Sequence, residues 1–442
     1  MAEAPDERGE QLEPPKLSER VEHLAPPASP QPQPQPQPPT FGERIEHYAP
    51  PAYGQPFAPV PPPTFTPAPA KRSHAKLFLG AGALLAVILV GALVHATAST
   101  SYDVALEDFQ VATQISAEAH DVLRITAATA TDAGLNADSI AAASTPELVD
   151  PVALTEFTSA ADELAELVVV ADKIDSDRST FEVARKPTFA WDVWREASDL
   201  RAHILTHTSE TADADAAQTL VQQSQGVLTE KAVVLFKSAV AAGPAFEAAH
   251  LSARNDQVIA FRVAREDLDV FANGVDSASV DKMEILAAAA IAVTVSEQAE
   301  LAEKAGPLEA QRFAAEAFAR SLAGGVLLEF DWSPIVNGYG QGDSLGGLTT
   351  WWSQGDNRAV IELSDSTARL WPSDRSQALV AHEVGHAISS KCPTMLDISS
   401  QDSIEQFATA WALSHGHTAG GNGVSIYGYP PQSVIDLAAT CR

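Results

Sequence analysis

One uncharged stretch constrains the fold of this chain more than any other feature. Residues Leu77 to Val94 form an eighteen-residue run without a charged side chain. With its flanking residues, such a run is long enough to cross the hydrocarbon core of a bilayer. It begins after seventy-six residues, so it is not an N-terminal signal peptide. The sequence predicts a transmembrane helix over residues 76–97, with a buried helix of a soluble protein as the alternative.

The charges around this run predict its orientation. Lys71, Arg72 and Lys76 precede it, and the next basic residue is Arg124. Because cytoplasmic flanks carry the excess of Lys and Arg, we expect a cytoplasmic N-terminus. The sequence thus predicts a single-pass protein of the cell membrane, with residues 98–442 on the extracytoplasmic side.

The segment before the run, residues 1–75, holds twenty of the thirty prolines. It cannot bury enough apolar surface to fold, so we expect a disordered cytoplasmic tail with polyproline II character. It contains two near-copies, SERVEHLAPPA from Ser18 to Ala28 and GERIEHYAPPA from Gly42 to Ala52. The shared ERxEH motif indicates a cytoplasmic partner, or else duplication within a spacer.

Residues 98–325 are rich in Ala, Leu and acidic residues at helical spacing, interrupted by Gly and Pro. They predict five to seven helices folded as hairpins or a bundle, acting as a spacer or stalk. Trp191 and Trp194 are expected to pack between these helices. The net charge of −30 argues against nucleic-acid binding, which requires clustered Lys and Arg.

Composition changes near residue 325, where glycines and aromatic residues replace helix formers. Apolar and polar residues alternate from Arg358 to Ser364, which predicts a strand exposed on one face. The segment Asn337 to Gly347 holds five glycines and is either a mobile lid or a series of turns. We therefore expect a small α+β domain over residues 326–442.

The segment Ala378 to Lys391 carries the clearest chemical motif. His382 and His386 stand four residues apart with Glu383 between them, and on a helix this spacing puts both imidazoles on one face. Ser373 provides a helix start signal. Two neutral imidazoles in an apolar helix point to a zinc ion with an open water position, where Glu383 serves as the base.

A third ligand is expected downstream. Residues Asp402 to Leu413 predict a second helix, and Glu405 lies near its start. Two alternatives remain open from the sequence. Glu405 is also placed to form a capping box with Asp402, and His415 and His417 are rival ligands in a Gly-rich segment.

This combination resembles the gluzincin zinc metallopeptidases, in which HExxH on one helix is completed by a Glu from the next. The E-x-x-A-x-x-W-A run from Glu405 to Ala412 is similar to the third-ligand helix of their compact members, the minigluzincins. The resemblance covers the last quarter of the chain. It implies one Zn²⁺ per chain, held by His382, His386 and Glu405, with Glu383 as the catalytic base.

The resemblance also implies a substrate and its position. A peptide or protein substrate would lie extended along an edge strand before the zinc helix, the place of Arg358 to Ser364. Gluzincins stabilise the oxyanion with a Tyr or a His. Tyr427, Tyr429, His415 and His417 lie in the appropriate part of the chain, and the sequence does not choose among them.

Cys392 and Cys441 are the only two cysteines. An extracytoplasmic compartment is oxidising, so an even pair predicts one disulfide. A zinc-ligating Cys392 is the alternative, although Cys392 is not on the face of His382 and His386.

These features together predict a mainly α protein with a single transmembrane helix, an extracytoplasmic helical region and a zincin-like α+β domain. The expected function is a membrane-anchored zinc metallopeptidase. The alternative is a non-catalytic interaction or scaffold protein of the cell envelope, with a partner-binding helical region and a structural or vestigial zinc site.

Overall fold

The computed structural model describes residues 75–353, 355 and 357–442, with side chains from residue 84 onward. The described chain is mainly helical with one small three-stranded sheet, which confirms the coarse prediction of fold class. The predicted disordered tail and its repeated ERxEH motif lie outside the described residues.

Helix α1 runs without a break from Ala75 to Ala143, so the apolar run continues directly into the helical region. Its side chains are exposed from Leu84 to Thr97, and Ala98 is the first that is buried. Side chains as apolar as those up to Val94 are normally covered, by protein or by lipid. The exposed segment is therefore a candidate for burial in a bilayer.

Among the described residues, two helices are long and apolar enough to cross a membrane, namely α1 and α3, which spans Ala190–Ala249. Only 6% of the apolar window of α1 is buried, against 33% of that of α3. Length and composition alone do not separate a membrane span from a core helix of a soluble protein. The single span at residues 76–97 remains a prediction.

Six helices lie between residues 98 and 325, within the predicted five to seven. After α1 they are α2 (Pro151–Ser176), α3, α4 (Asn255–Phe271), α5 (Ser277–Lys304) and α6 (Glu309–Leu322). The amphipathic stripes of α1 to α5 meet in one core, whose largest fully buried side chains include Phe157, Phe236 and Phe261.

The N-terminal end of α3 packs against α1 in a second, smaller core. Tyr102 and Phe109 of α1 contact the face of α3 that carries Val193 and Leu200. The prediction for the two tryptophans was wrong. Trp191 and Trp194 are 74% and 44% exposed, because Val193 occupies the inward position of this turn and the tryptophans point away from it.

The sheet has the order β1-β3-β2, with β1 at Leu327–Ser333, β2 at Gly347–Trp351 and β3 at Arg358–Ser364. β1 pairs parallel to β3, and β2 pairs antiparallel to it. The alternation of β3 is confirmed, since Ala359 and Ile361 are buried. Its expected edge position was wrong, because β3 is the central strand and β2 lies at the edge.

Short helices pack on this sheet and complete the C-terminal part. They are α7 (Asp365–Arg369), α8 (Asp374–Ile388), a 3₁₀ turn (Pro393–Met395), α9 (Gln401–Ser414), α10 (Val424–Tyr427) and α11 (Gln432–Ala438). Phe330, Phe407 and Trp411 are buried between the sheet and helices α8 and α9. This packing fixes the relative position of the two helices that carry the candidate site.

The sheet joins the helical part just beyond the C-terminal end of α3. The Asn255 side-chain amide donates to the Ala359 carbonyl at 2.9 Å, and the Asn255 backbone N–H donates to the Glu329 carboxylate at 2.7 Å. The Arg320 guanidinium donates to the Leu251 carbonyl at 2.7 Å. These contacts place the small domain at the opposite end of α3 from the exposed tryptophans.

Candidate metal centre

Helix α8 presents two histidines to one point. It begins after Ser373, whose hydroxyl caps the helix by accepting the Ser376 backbone N–H at 3.3 Å. His382 and His386 are one turn apart, with ring centroids separated by 4.7 Å. Both side chains are buried, so the helix holds two polar rings away from water.

Helix α9 supplies the third group. The Glu405 Oε2 atom lies 3.2 Å from Nε2 of His382 and 3.2 Å from Nε2 of His386. The capping-box alternative for Glu405 was wrong, because the cap is Ser400, which accepts the Ser403 backbone N–H. Glu405 is therefore in the second turn of α9, directed toward α8.

The three atoms form a buried triangle that fits a metal ion. The two histidine Nε2 atoms are also 3.2 Å apart, so each side of the triangle has the same length. Two ligands of a tetrahedral zinc ion, bonded at about 2.0–2.1 Å, are about 3.3 Å apart. Two imidazole nitrogens and a carboxylate oxygen are also ordinary ligands of several divalent metals. The group can hold a metal ion.

The close approach of helices at this site depends on two glycines. A Cβ atom at Gly385, between the histidines, would lie 2.7 Å from the Ala408 carbonyl oxygen of α9. Gly423 has φ +91° and covers the His382 ring, where a Cβ would lie 2.7 Å from Cε1. Side chains at these two positions would push α9 or the segment before α10 away from the triangle.

Two further residues of α9 hold the ligands in place. The Gln401 side-chain amide donates to Oε1 of Glu405 at 2.8 Å, and the Thr409 hydroxyl lies 3.4 Å from Nδ1 of His382. Such partners orient ligands and fix the tautomer of a histidine. Neither residue was predicted from the sequence. They stand four positions before and four positions after Glu405. Residues four apart lie on the same face of a helix, so this spacing was the signal in the sequence that could have identified them.

The histidines also set the ionisation of Glu405. Burial of the carboxyl alone would raise its pKa. Hydrogen bonds and charge interactions with His382 and His386 outweigh that effect, so the pKa of Glu405 lies well below its usual range. Glu405 is therefore ionised at neutral pH, and the carboxylate is the form that can bind a metal ion.

Glu383 lies on the side of α8 that faces the sheet. Its Oε2 atom accepts a hydrogen bond from the Thr349 hydroxyl of β2 at 2.7 Å. Gly347 allows β2 to come this near, because a Cβ there would lie 2.7 Å from Cδ of Glu383. Burial raises the pKa of Glu383, and His382 and Thr349 partly oppose the rise. Glu383 is thus adjacent to the triangle without belonging to it.

Tyr427 closes one side of the site. Its ring lies parallel to that of His382, at 6.0 Å between centroids and 7° between planes. Burial, with the nearby Glu405 and Glu383, raises the pKa of Tyr427 to about 12, so the phenol stays protonated at neutral pH. A cleft of about 300 Å³ opens here, lined by His382, Glu383, Tyr427, Tyr339, Gly347 and Arg375.

Comparison with known proteins finds no family model, no curated protein and no solved structure that matches this chain.

His415 and His417 lie outside the triangle. The His415 ring stacks on Trp411 at 3.9 Å, and its Nε2 atom contacts the Arg442 side chain. His417 meets Phe318 edge-on at 5.4 Å; burial, with His415 nearby, lowers the pKa of His417. The structure brings Glu405, and neither of these histidines, to the motif on α8.

The predicted disulfide between Cys392 and Cys441 is confirmed, with Cα atoms 6.2 Å apart. A disulfide sulfur cannot serve as a thiolate ligand, so the alternative of Cys392 as a metal ligand was wrong. The bond joins the chain just beyond α8 to the segment after α11. It thereby closes a loop that contains both Glu405 and Tyr427.

Proposed function

We propose that this protein is a membrane-anchored zinc metallopeptidase that acts outside the cytoplasm. One observation carries the proposal. Three ligand atoms stand 3.2 Å from one another at a cleft, and Glu383 is beside them without being one of them. A purely structural site needs four protein ligands and no neighbouring base.

His382, His386 and Glu405 are the residues that would hold the ion. When bound, zinc supplies a Lewis acid that acidifies water and polarises the scissile carbonyl. Three protein ligands leave a position for water or substrate, as catalytic zinc sites do. The adjacent cleft gives a substrate access to that position.

Glu383 is suited to move the proton. In peptide hydrolysis the oxygen of water bonds to the carbonyl carbon and the C–N bond breaks. Glu383 takes the proton that water loses and delivers it to the leaving nitrogen, so the products are a carboxylic acid and an amine, which at neutral pH become a carboxylate and an ammonium. Thr349 fixes the Glu383 carboxylate by its hydrogen bond to Oε2.

Tyr427 is the group that we assign to the oxyanion. Its pKa is raised to about 12, so the hydroxyl remains a hydrogen-bond donor well above neutral pH. It lies on the cleft side of His382, where charge develops on the carbonyl oxygen of the substrate. A positioned donor stabilises such charge more strongly than bulk water does.

The substrate would bind along β2. In antiparallel pairing, alternate residues turn their backbone groups away from the partner strand. The Ser364 N–H donates to the Gly346 carbonyl, so Gly346 bonds to β3. The alternate residues Gly347, Thr349 and Trp351 therefore direct their backbone N–H and C=O groups away from β3. Among the described residues no strand covers that side. An extended peptide can pair there, next to Glu383.

The membrane part of the proposal comes from α1. Its exposed residues from Leu84 to Val94 are all apolar or glycine. Lys76 precedes this segment closely, whereas the first Lys or Arg after it is Arg124. If α1 spans the membrane, the positive-inside rule would put the metal centre on the extracytoplasmic side.

Peptide hydrolysis by the full chain tests the activity. The purified protein should cleave members of a fluorogenic peptide library, lose activity to a chelator and regain it on addition of zinc. Glu383→Gln should lower kcat by roughly 10²–10⁴-fold. Glu362→Gln, on the half-exposed face of β3, is the matched control. Cleavage by Glu383→Gln at the wild-type rate would refute the role of Glu383 as the base. No cleavage by the wild type would refute the peptidase proposal and favour a non-catalytic role.

A further inference from the structure

Three aromatic side chains are exposed where α3 begins. Phe189, Trp191 and Trp194 are 73%, 74% and 44% exposed. Large aromatic side chains grouped on a surface usually mark a contact with another molecule or with a membrane. We call this group the aromatic patch.

The patch lies at a defined level of α1. Helices α1 and α3 run side by side in the same direction, and the Phe109 ring packs against those of His203 and His207 at 6.2 and 5.7 Å. Both helices rise about 1.5 Å per residue. A residue of α3 therefore lies at the same height along the bundle as the residue of α1 whose number is about 96 lower. Trp191 is then level with His95.

Two hydrogen bonds locate the segment that precedes α3. The Tyr102 hydroxyl donates to the Ala184 carbonyl at 3.4 Å, and the Lys186 ammonium donates to the Ser99 carbonyl at 3.3 Å. The segment before α3 therefore reaches the part of α1 around residues 99–102. Ala98 is the first buried residue of α1, so this is the end of the helical bundle.

The patch thus lies at about the height along the bundle where the apolar run ends, at Val94. Aromatic residues, tryptophan above all, are enriched where a protein meets the headgroup region of a bilayer. The ring of Trp is apolar and its N–H still finds polar partners there. Arg185, exposed in the same segment, is able to contact lipid phosphates.

We propose that Phe189, Trp191 and Trp194 insert into the headgroup region of the bilayer that α1 spans. The bundle then has two attachments to the membrane, α1 and the aromatic patch. The inference rests on the membrane span of the proposed function and is independent of the peptidase activity. The lipid partner is a bilayer surface and not a single bound lipid.

A fixed attachment has a consequence for the metal centre. Helix α3 has sixty residues and is about 90 Å long. The small domain is joined just beyond its far end through Asn255. With its base held on the bilayer, the bundle would hold the cleft at a set height, within reach of substrates remote from the membrane surface.

Quenching of tryptophan fluorescence by brominated lipids in nanodiscs tests this with the full chain. The five other tryptophans lie in the small domain at the far end of α3 and should be out of reach. The double variant W191F/W194F should lose most of the quenching, and Trp352→Phe should lose none. Quenching that is the same in the double variant and in wild type would overturn the inference.

Incorporation into nanodiscs, measured by co-purification, separates this inference from the anchor on which it rests. Wild-type protein that incorporates and shows no bromolipid quenching would refute the aromatic attachment and leave the span of α1 intact. A chain that does not incorporate would refute both. Far-UV circular dichroism should be unchanged in W191F/W194F, because both side chains are exposed and their removal leaves the core unaltered.

Discussion

Two buried carboxylates of the candidate site, Glu383 and Glu405, differ at the residue scale in what surrounds them. Glu405 faces two imidazoles at 3.2 Å, whereas Glu383 faces the Thr349 hydroxyl and the backbone of β2. Their pKa values are displaced in opposite directions, upward for Glu383 by burial and downward for Glu405 by the histidines in spite of burial. Such a division is typical of sites in which neighbouring acids have different roles.

Tyr427 provides a prediction at this scale. Tyr427→Phe keeps the ring beside His382 and removes only the hydroxyl, so we expect unchanged zinc content and a kcat lower by about 10²–10³-fold. Tyr429, which is 69% exposed, provides the control, since Tyr429→Phe should leave kcat unchanged. Steady-state kinetics of the two variants would exclude the assigned role if both were as active as wild type.

At the scale of elements, the site is held by the packing of α8 on α9 and by the disulfide. Gly385 lets the helices approach, and Trp411 of α9 donates its indole N–H to the Cys441 carbonyl at 3.3 Å. The bond between Cys392 and Cys441 spans 49 positions of the chain. It restrains the segment that carries the third ligand and the tyrosine.

The disulfide therefore has a predictable effect on stability. In the chain-entropy model, a loop of this length stabilises the folded state by roughly 4 kcal/mol. Cys392→Ser combined with Cys441→Ser should reduce the free energy of unfolding of the small domain by about that amount. Urea unfolding followed by the fluorescence of its five tryptophans measures the difference. Wild type under reducing conditions should match the variant, and an unchanged midpoint would contradict the prediction.

The helices and strands were largely predictable from sequence periodicity. Which elements pack against each other was not. Alternation over residues 358–364 predicted β3 and its buried face, because that information is local. Its central position depends on pairing with β1 and β2, which are distant or separated by turns in the sequence. In the same way, helical spacing did not show that Val193, and not Trp191, faces α1.

The candidate site was predictable as far as local spacing reaches. His382 and His386 are placed by one turn of helix, so their common face followed from the sequence. The role of Glu405 depended on whether the helix begins at Ser400 or at Asp402, and both residues are good caps. Only the packing of α9 against α8 decides the direction of Glu405.

At the scale of the whole molecule, the acidic chain beyond residue 98 is a long bundle with the metal centre at one end. The apolar run of α1 continues from the other end of the bundle. With a net charge of −30, the protein is not suited to bind anionic surfaces by charge alone. The proposed attachment to a membrane would therefore rely on apolar and aromatic contacts.

This arrangement predicts a topology. A membrane-impermeant reagent should label cysteines introduced at Leu205 and Leu301, both exposed in the bundle, in intact cells. A cysteine introduced in the tail, at Ser29, should react only after the cells are opened. Labelling of Ser29→Cys in intact cells, with Leu205→Cys protected, would reverse the orientation and place the metal centre in the cytoplasm.

The bound zinc per chain, measured by native mass spectrometry on wild type, Glu405→Ala and Glu383→Gln, tests the central claim most directly. Glu405→Ala removes one of three ligands and should lose most of the metal. Glu383→Gln changes a residue beside the triangle and should keep about one zinc per chain, as should the control Glu362→Gln. Zinc lost from Glu383→Gln and retained by Glu405→Ala would contradict the account.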